Sequence, residues 1–190
     1  MSALELPDRL LITPEPATFA SADAFLIRLA QALDGGVRLV QLRSRGLDGA
    51  QYALLAERAR ALCHNHDARL LLNPPPQAPW PMAADGIHLT SPRLMDADMR
   101  PSGYGMVSAA CHDAAQLAQA QRLGVDFVTL SPVLATATHP EAAPIGWEKF
   151  EVLAKTVTLP VYALGGMTLS QLAQAREKGA QGIAAIRGLW

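Results

Sequence analysis

Residues 160–186 read PVYALGGMTLSQLAQAREKGAQGIAAI, and this stretch decides the fold. A short apolar run at 160–164 ends in Gly165-Gly166. Thr168 then opens a helical pattern over 168–178, which Gly179 closes, and a second apolar run covers 182–186. Strand, capped helix, glycine stop and strand again is the pattern of a parallel β–α–β unit. Both apolar runs lack a polar alternate face, as strands covered on both sides must.

Working outward, the same unit repeats. Strands are predicted at residues 10–12, 37–42, 69–72, 86–89, 106–110 and 126–130, making eight with the two above. Ser21 can cap a helix carrying Phe25, Leu26, Leu29, Ala30 and Leu33, which Gly35-Gly36 ends. Asp48 opens a helix with Leu54, Leu55, Ala59 and Leu62. Further helices are predicted at 113–123 and 147–155. Five prolines in positions 74–81 interrupt the rhythm, so the third helix is short or missing. Little chain follows the eighth strand, so an eighth helix is at most a stub. Eight such units in 190 residues predict a compact single (β/α)8 barrel spanning 1–190, in preference to an open doubly wound sheet.

Composition limits the function classes. The net charge is −1 and charged residues make up 17%, so no global field favours nucleic acid or an anionic membrane. Anion binding must come from a local site. Two cysteines, Cys63 and Cys111, provide no disulfide framework, which suits a reducing compartment. The first residues show neither a signal peptide nor a membrane span, and the expected location is the cytoplasm.

Barrel sites form at the C-terminal ends of the strands. Gly165-Gly166 lets the backbone approach an anion, and amides there and at Ile186-Arg187 are expected to hold one phosphate. Gln41, Arg43 and Arg45 alternate along the second strand and share a face. An inward Arg43 must be paired or face a ligand. His112, just beyond the fifth strand, suits proton transfer near neutral pH. Cys111 points the opposite way and reads as a small buried apolar group. His88 reads as a hydrogen-bonded core residue, and His64 and His66 as a solvated helix end. Asn73, Thr136, Thr138 and His139 also fall at strand ends. No residue spacing makes a transition-metal site.

Taken in order, LLIT, GGVRLVQLRSR, LLLN, ADGIHL, CHDAAQLAQAQRLGVDFVTLSPV, TATHP, PVYALGGMT and GAQGIAAI resemble the thiamine-phosphate synthase and thiazole tautomerase (TenI) superfamily. The likeness is closest to the version often fused to a Nudix hydrolase, which suggests a functional link to such an enzyme. The resemblance implies a barrel holding a thiazole phosphate at its mouth. In the synthase, a pyrimidine diphosphate loses pyrophosphate, held by magnesium, and the thiazole nitrogen attacks the pyrimidine cation. In the tautomerase a histidine moves a proton to aromatise the thiazole, and His112 matches it.

The departures fall on one half of that site. Asn73-Pro74 stands where the synthase has Asn-Asp, and Arg93 stands where a second acidic ligand belongs. Magnesium needs hard oxygen ligands, usually carboxylates, so no metal is expected unless the synthase reading holds. Arg45 and His139 replace lysines, and Ala110 replaces a serine. The thiazole-phosphate half is kept at Gly165, Gly166, Ile186, Arg187 and Gln41. The first expectation is therefore a metal-independent tautomerase using His112, with Gln41 and Arg43 orienting the ring. The alternatives are a synthase whose pyrophosphate meets Arg45 and Arg93, and a non-catalytic module binding thiazole or thiamine phosphate. A homodimer is compatible with an apolar barrel of trimmed helices, and the sequence does not fix the oligomeric state.

Overall fold

The computed structural model describes residues 5–16, 18–75, 82–136 and 141–190. Eight parallel strands close into a barrel in sequence order: β1 (Arg9–Ile12), β2 (Leu39–Arg43), β3 (Arg69–Asn73), β4 (Gly86–Leu89), β5 (Met106–Cys111), β6 (Phe127–Leu130), β7 (Val161–Leu164) and β8 (Gly182–Ala185). The seam pairs Leu10 with Ala184 and Leu11 with Ala185. Six α-helices among the described residues lie outside: α1 (Ala22–Asp34), α2 (Gly49–His64), α3 (Ser91–Asp96), α4 (Ala114–Leu123), α5 (Gly146–Ala154) and α6 (Leu172–Glu177). The expected barrel is the observed one. None of these helices is long and apolar enough to cross a membrane.

Local chemistry sets the helix ends. Asp48 accepts from the Gln51 amide at 2.9 Å, and Asp113 from the Gln116 amide at 2.8 Å, satisfying amides with no partner in the first helical turn. Gly124 closes α4 at φ 70°. Ser21 stands at the N-cap of α1, as expected, but its side chain makes no capping hydrogen bond there. Thr18 opens a 3-10 turn at Phe19–Ser21 instead, and the Ser21 hydroxyl reaches back to the Thr18 carbonyl at 2.7 Å. The helix expected at 168–178 likewise begins as a 3-10 turn, Leu169–Gln171, before α6. The sequence reading lacked α3. It is six residues long with Leu94 as its buried residue, too short to show a period. Among the described residues no helix separates β3 from β4. The chain ends in a turn, with Trp190 packed 5.1 Å from Phe25.

Strand alternation sorts the core into two layers. One set of side chains faces the helices, as with Leu11, Val40, Leu70 and Leu72 against α1 and α2, and Cys111, Val128 and Ile183 on the far side. The other set fills the barrel: Leu10, Leu39, Leu71, Met106, Phe127, Tyr162 and Ala184. Phe127 meets Tyr162 edge-on with centroids 5.3 Å apart. This apolar plug closes the N-terminal half of the barrel and leaves the other end for a site.

His64 and His66 are not a merely solvated helix end. His64 Nε2 lies 2.9 Å from Asp85, whose other oxygen accepts from the Leu70 amide at 2.7 Å, and His66 Nε2 lies 3.2 Å from Asp34.

Barrel closure requires the backbones of β1 and β8 to approach closely. A Cβ on Gly182 would lie 2.0 Å from the Asp8 carbonyl oxygen. Gly182→Ala is expected to cost about 1–3 kcal/mol through overpacking. Chemical denaturation checks this, and an unchanged midpoint would mean the seam is not tightly closed.

Candidate active site

Above the plug the inward residues become polar. A cavity of about 600 Å³ opens at the C-terminal ends of the strands. Its floor and lower walls carry Gln41 from β2, His88 from β4 and Thr129 from β6, each no more than 4% exposed. They sit two residues along from, or in the layer above, apolar plug residues such as Leu39 and Phe127, so the same alternation that builds the plug aims them into the cavity.

His88 is hydrogen-bonded, as expected for a core histidine, with Nδ1 2.8 Å from Ser108 Oγ. It also lines the cavity, which the core reading omitted. Burial pushes its pKa down to about 3, so the ring is neutral near pH 7. Gln41 accepts from Asn73 Nδ2 at 3.4 Å.

The rim on the β2 side is cationic. Arg43 and Arg45 both line the cavity. Arg43 is mostly buried and lies 3.6 Å from Glu15, whose other oxygen accepts from the Arg45 amide at 2.6 Å. Burial, then the like charge of Arg45, lowers the Arg43 pKa, and Glu15 opposes the shift. A guanidinium stays charged under such shifts, so Arg43 is both paired and cavity-facing. Glu15 escaped the sequence reading because it lies 28 residues before Arg43 (43 − 15), in the loop after β1.

The opposite rim is backbone. Gly165 and Gly166 adopt φ of 100° and 69°. A Cβ on Gly165 would lie 2.8 Å from Pro132 Cα, and one on Gly166 would lie 2.7 Å from the Ala135 carbonyl oxygen. Both glycines are thus required by the loop after β6 as well as by any ligand. The loop after β8 reaches the same place, since a Cβ on Gly188 would lie 2.3 Å from the Met167 carbonyl oxygen. Among the described residues the amides of Gly166, Met167, Ile186 and Arg187 make no hydrogen bond. Gly165, Gly166, Ile186 and Arg187 all line the cavity. Adjacent amides without protein partners are the groups from which an oxyanion cradle is built.

His112 also lines the cavity. Its Nδ1 lies 2.8 Å from the Ser131 carbonyl oxygen and 3.3 Å from Ser131 Oγ. A carbonyl has no proton to give, so Nδ1–H donates, and the neutral ring carries its lone pair on Nε2. Ser131 directly follows β6, and its part in fixing the His112 tautomer depends on the ends of β5 and β6 lying side by side. Cys111 is buried in the outer layer, and burial pushes its thiol up to about 12. It is no nucleophile there.

Asn73 and Thr136 line the cavity. Thr138 and His139 lie outside the described residues. Arg93 does not line the cavity. It is the third residue of α3, which the sequence reading had not recognised as a helix. Thr129 was missed altogether. The signal was present, because residues 127, 129 and 131 alternate as 41, 43 and 45 do, with one hydroxyl inside an otherwise apolar strand.

No aspartate or glutamate lines the cavity among the described residues. Asn73-Pro74 and the Ser91-Pro92 start of α3 supply neutral groups where magnesium needs carboxylates. The donor set does not fit a magnesium ion.

The profile of the family described as "Thiamine monophosphate synthase" matches residues 10–189. The chain is 35% identical over 184 residues to "Putative thiamine-phosphate synthase 2" of Aquifex aeolicus, covering 96% of this chain and 97% of that one. It is 34% identical over 181 residues to "Thiamine-phosphate synthase" of Thermus thermophilus, covering 95% and 87%. Among solved structures, a thiamine phosphate pyrophosphorylase from Pyrococcus furiosus superposes with a TM-score of 0.75 at 20% identity, covering 94% of this chain and 85% of that one, which is a likeness of fold. The chain belongs to the thiamine-phosphate synthase family.

A neutral buried histidine links stability to pH. The His88 pKa lies below its ordinary 6.5 in the folded chain, so its contribution is present above pH 6.5 and is lost as pH falls toward 3. By proton linkage the loss is roughly 3 kcal/mol by pH 4. Urea titrations from pH 7 to 4 are expected to show a smaller loss for His88→Gln than for the wild type. Equal losses would contradict the assignment.

Proposed function

We propose that this member of the thiamine-phosphate synthase family joins a thiazole phosphate to a pyrimidine diphosphate and releases pyrophosphate. The two-ended cavity carries the reading. Unpaired amides after β7 and β8 form one anion site, and Arg43 at the end of β2 with Arg45 just beyond it forms a second across the mouth. One phosphorylated thiazole needs only the first. Two anionic substrates need both. The names of the relatives favour the synthase over the tautomerase expected from sequence.

In this mechanism the thiazole phosphate sits in the amide cradle, with its ring toward the cavity centre. Positioning the two reactants together replaces a bimolecular encounter. The bond between the pyrimidine carbon and the diphosphate oxygen breaks, and its electron pair leaves on the pyrophosphate. Arg43 and Arg45 meet that developing charge as preorganised cations. The thiazole nitrogen then gives its lone pair to the pyrimidine cation, forming the new C–N bond. No step is assigned to a metal, because no carboxylate among the described residues lines the cavity to hold one.

His112 supports a second reading. Its Nδ1 is committed to Ser131, so Nε2 is presented as a base, the form a tautomerase needs. The two readings separate cleanly in an assay. Thiamine phosphate is expected from the two halves in EDTA, at a rate magnesium does not raise. Arg45→Ala is expected to lower that rate by about 10²-fold through lost leaving-group stabilisation. Product that depends strictly on magnesium would overturn the metal-free reading. Absence of product, together with His112-dependent proton exchange on the thiazole, would establish the tautomerase instead. Under that outcome, His112→Ala should reduce turnover by about 10²–10⁴-fold.

A further inference from the structure

The two loops whose amides face the cavity are fixed in different ways. The loop after β7 runs into a capped turn. Gln171 Oε1 accepts from the Thr168 amide at 2.9 Å and from the Thr168 hydroxyl at 2.6 Å, and the Met167 side chain is buried in the outer core layer. The Gly166 and Met167 amides therefore sit in backbone that is held from both ends.

The loop after β8 has no such turn, since no helix follows β8 among the described residues. Arg187 is exposed, and its side chain ties the loop to no described residue. What fixes this loop lies at residues 189 and 190. Leu189 packs against both halves of the outer core layer, and its amide donates to the Ile186 carbonyl oxygen at 3.4 Å. Trp190 packs on α1. Its ring lies 5.1 Å from that of the buried Phe25, tilted by 41°, and its main-chain oxygen accepts from Arg28 Nη2 at 3.3 Å. A span of four residues, 186–189, thus joins the end of β8 to this seat on α1.

Amide donors recognise an anion well only when they are held in place before it arrives. A span released at one end samples orientations in which its N–H groups point elsewhere. Apparent affinity then falls in proportion to the competent fraction.

We propose that Trp190 is a positioning residue for the anion cradle. Its ring, seated on Phe25, holds the span after β8 so that the Ile186 and Arg187 amides face a bound phosphate. Trp190 does not itself line the cavity, so it acts through the loop. The proposal rests on the amide cradle of the proposed function, and its first test needs no turnover.

Trp190→Ala removes the ring, and Trp190→Phe keeps an aromatic seat on Phe25. Each protein is titrated with inorganic phosphate while backbone amide resonances are followed by NMR. In the wild type the Gly166, Met167, Ile186 and Arg187 resonances are expected to move with phosphate. In Trp190→Ala the phosphate dissociation constant is expected to rise about tenfold. Ile186 and Arg187 should be shifted already in the free variant, with Gly166 and Met167 unmoved. Trp190→Phe is expected to stay within about twofold of the wild type. Phe25→Leu, which removes the ring contact from the other side, is expected to weaken phosphate in the same direction as Trp190→Ala. In the synthase assay, Trp190→Ala should raise the KM for the thiazole phosphate about tenfold and leave that for the pyrimidine diphosphate unchanged.

A ring that merely stabilised the fold would lower the melting temperature and leave the phosphate affinity of the folded protein where it was. That result would overturn the proposal, as would a Trp190→Phe variant as weak as Trp190→Ala, or a KM that rises alike for both substrates. Phosphate that moves none of the four amides in the wild type would overturn the cradle and this proposal with it. Phosphate binding weakened by Trp190→Ala, in a protein that forms no thiamine phosphate, would overturn the synthase and leave the role of Trp190 standing.

Discussion

A closed ring of parallel strands allows each strand only two sides, and every consequence in this protein follows from that alternation. Odd and even positions part company. One set must satisfy the helices and the other must fill the barrel. Below, the inward set is Leu10, Leu39, Met106, Phe127 and Tyr162, and it is dry. One step higher it becomes Gln41, His88, Ser108 and Thr129. The apolar layer stabilises the fold by removing area from water. The polar layer contributes little to stability, since it retains orphaned atoms at Gln41 and Thr129.

The same geometry separates the two kinds of anion recognition that the proposed function calls for. On the β7 and β8 side the recognition is backbone, set by glycines that no side chain could replace without striking the loop after β6. On the β2 side it is side chain, through arginines whose charge does not depend on pH in the ordinary range. The two do not overlap, and the floor lies between them. Among the described residues no carboxylate lines the cavity, so the charge there is one-sided.

Much of this was legible before any coordinates. The strand–glycine–helix rhythm of residues 160–186 gave the barrel. The alternation of 41, 43 and 45 placed all three side chains in the cavity, and Gly165, Gly166, Ile186 and Arg187 meet there too. What escaped had physical reasons. α3 is shorter than two helical turns, so its one buried residue shows no period. Arg93 was therefore placed by analogy, and it is absent from the cavity lining. Thr129 hides in an apolar strand because a lone threonine is also a good strand former. Glu15 and Ser131 act through contacts between segments that neighbour each other only after the barrel closes. The preference for a tautomerase came from counting lost carboxylates, and the family relationship shifts the weight toward the synthase.

The central claim is that paired loops after β7 and β8 hold a phosphate by backbone alone. A crystal structure of the protein with a thiazole phosphate, grown in EDTA, tests it most directly. The account predicts the phosphorus between the Gly166 and Arg187 amides, with oxygens about 2.7–3.2 Å from the nitrogens. A phosphate seated instead on Arg43 and Arg45, with those amides still unoccupied, would contradict it.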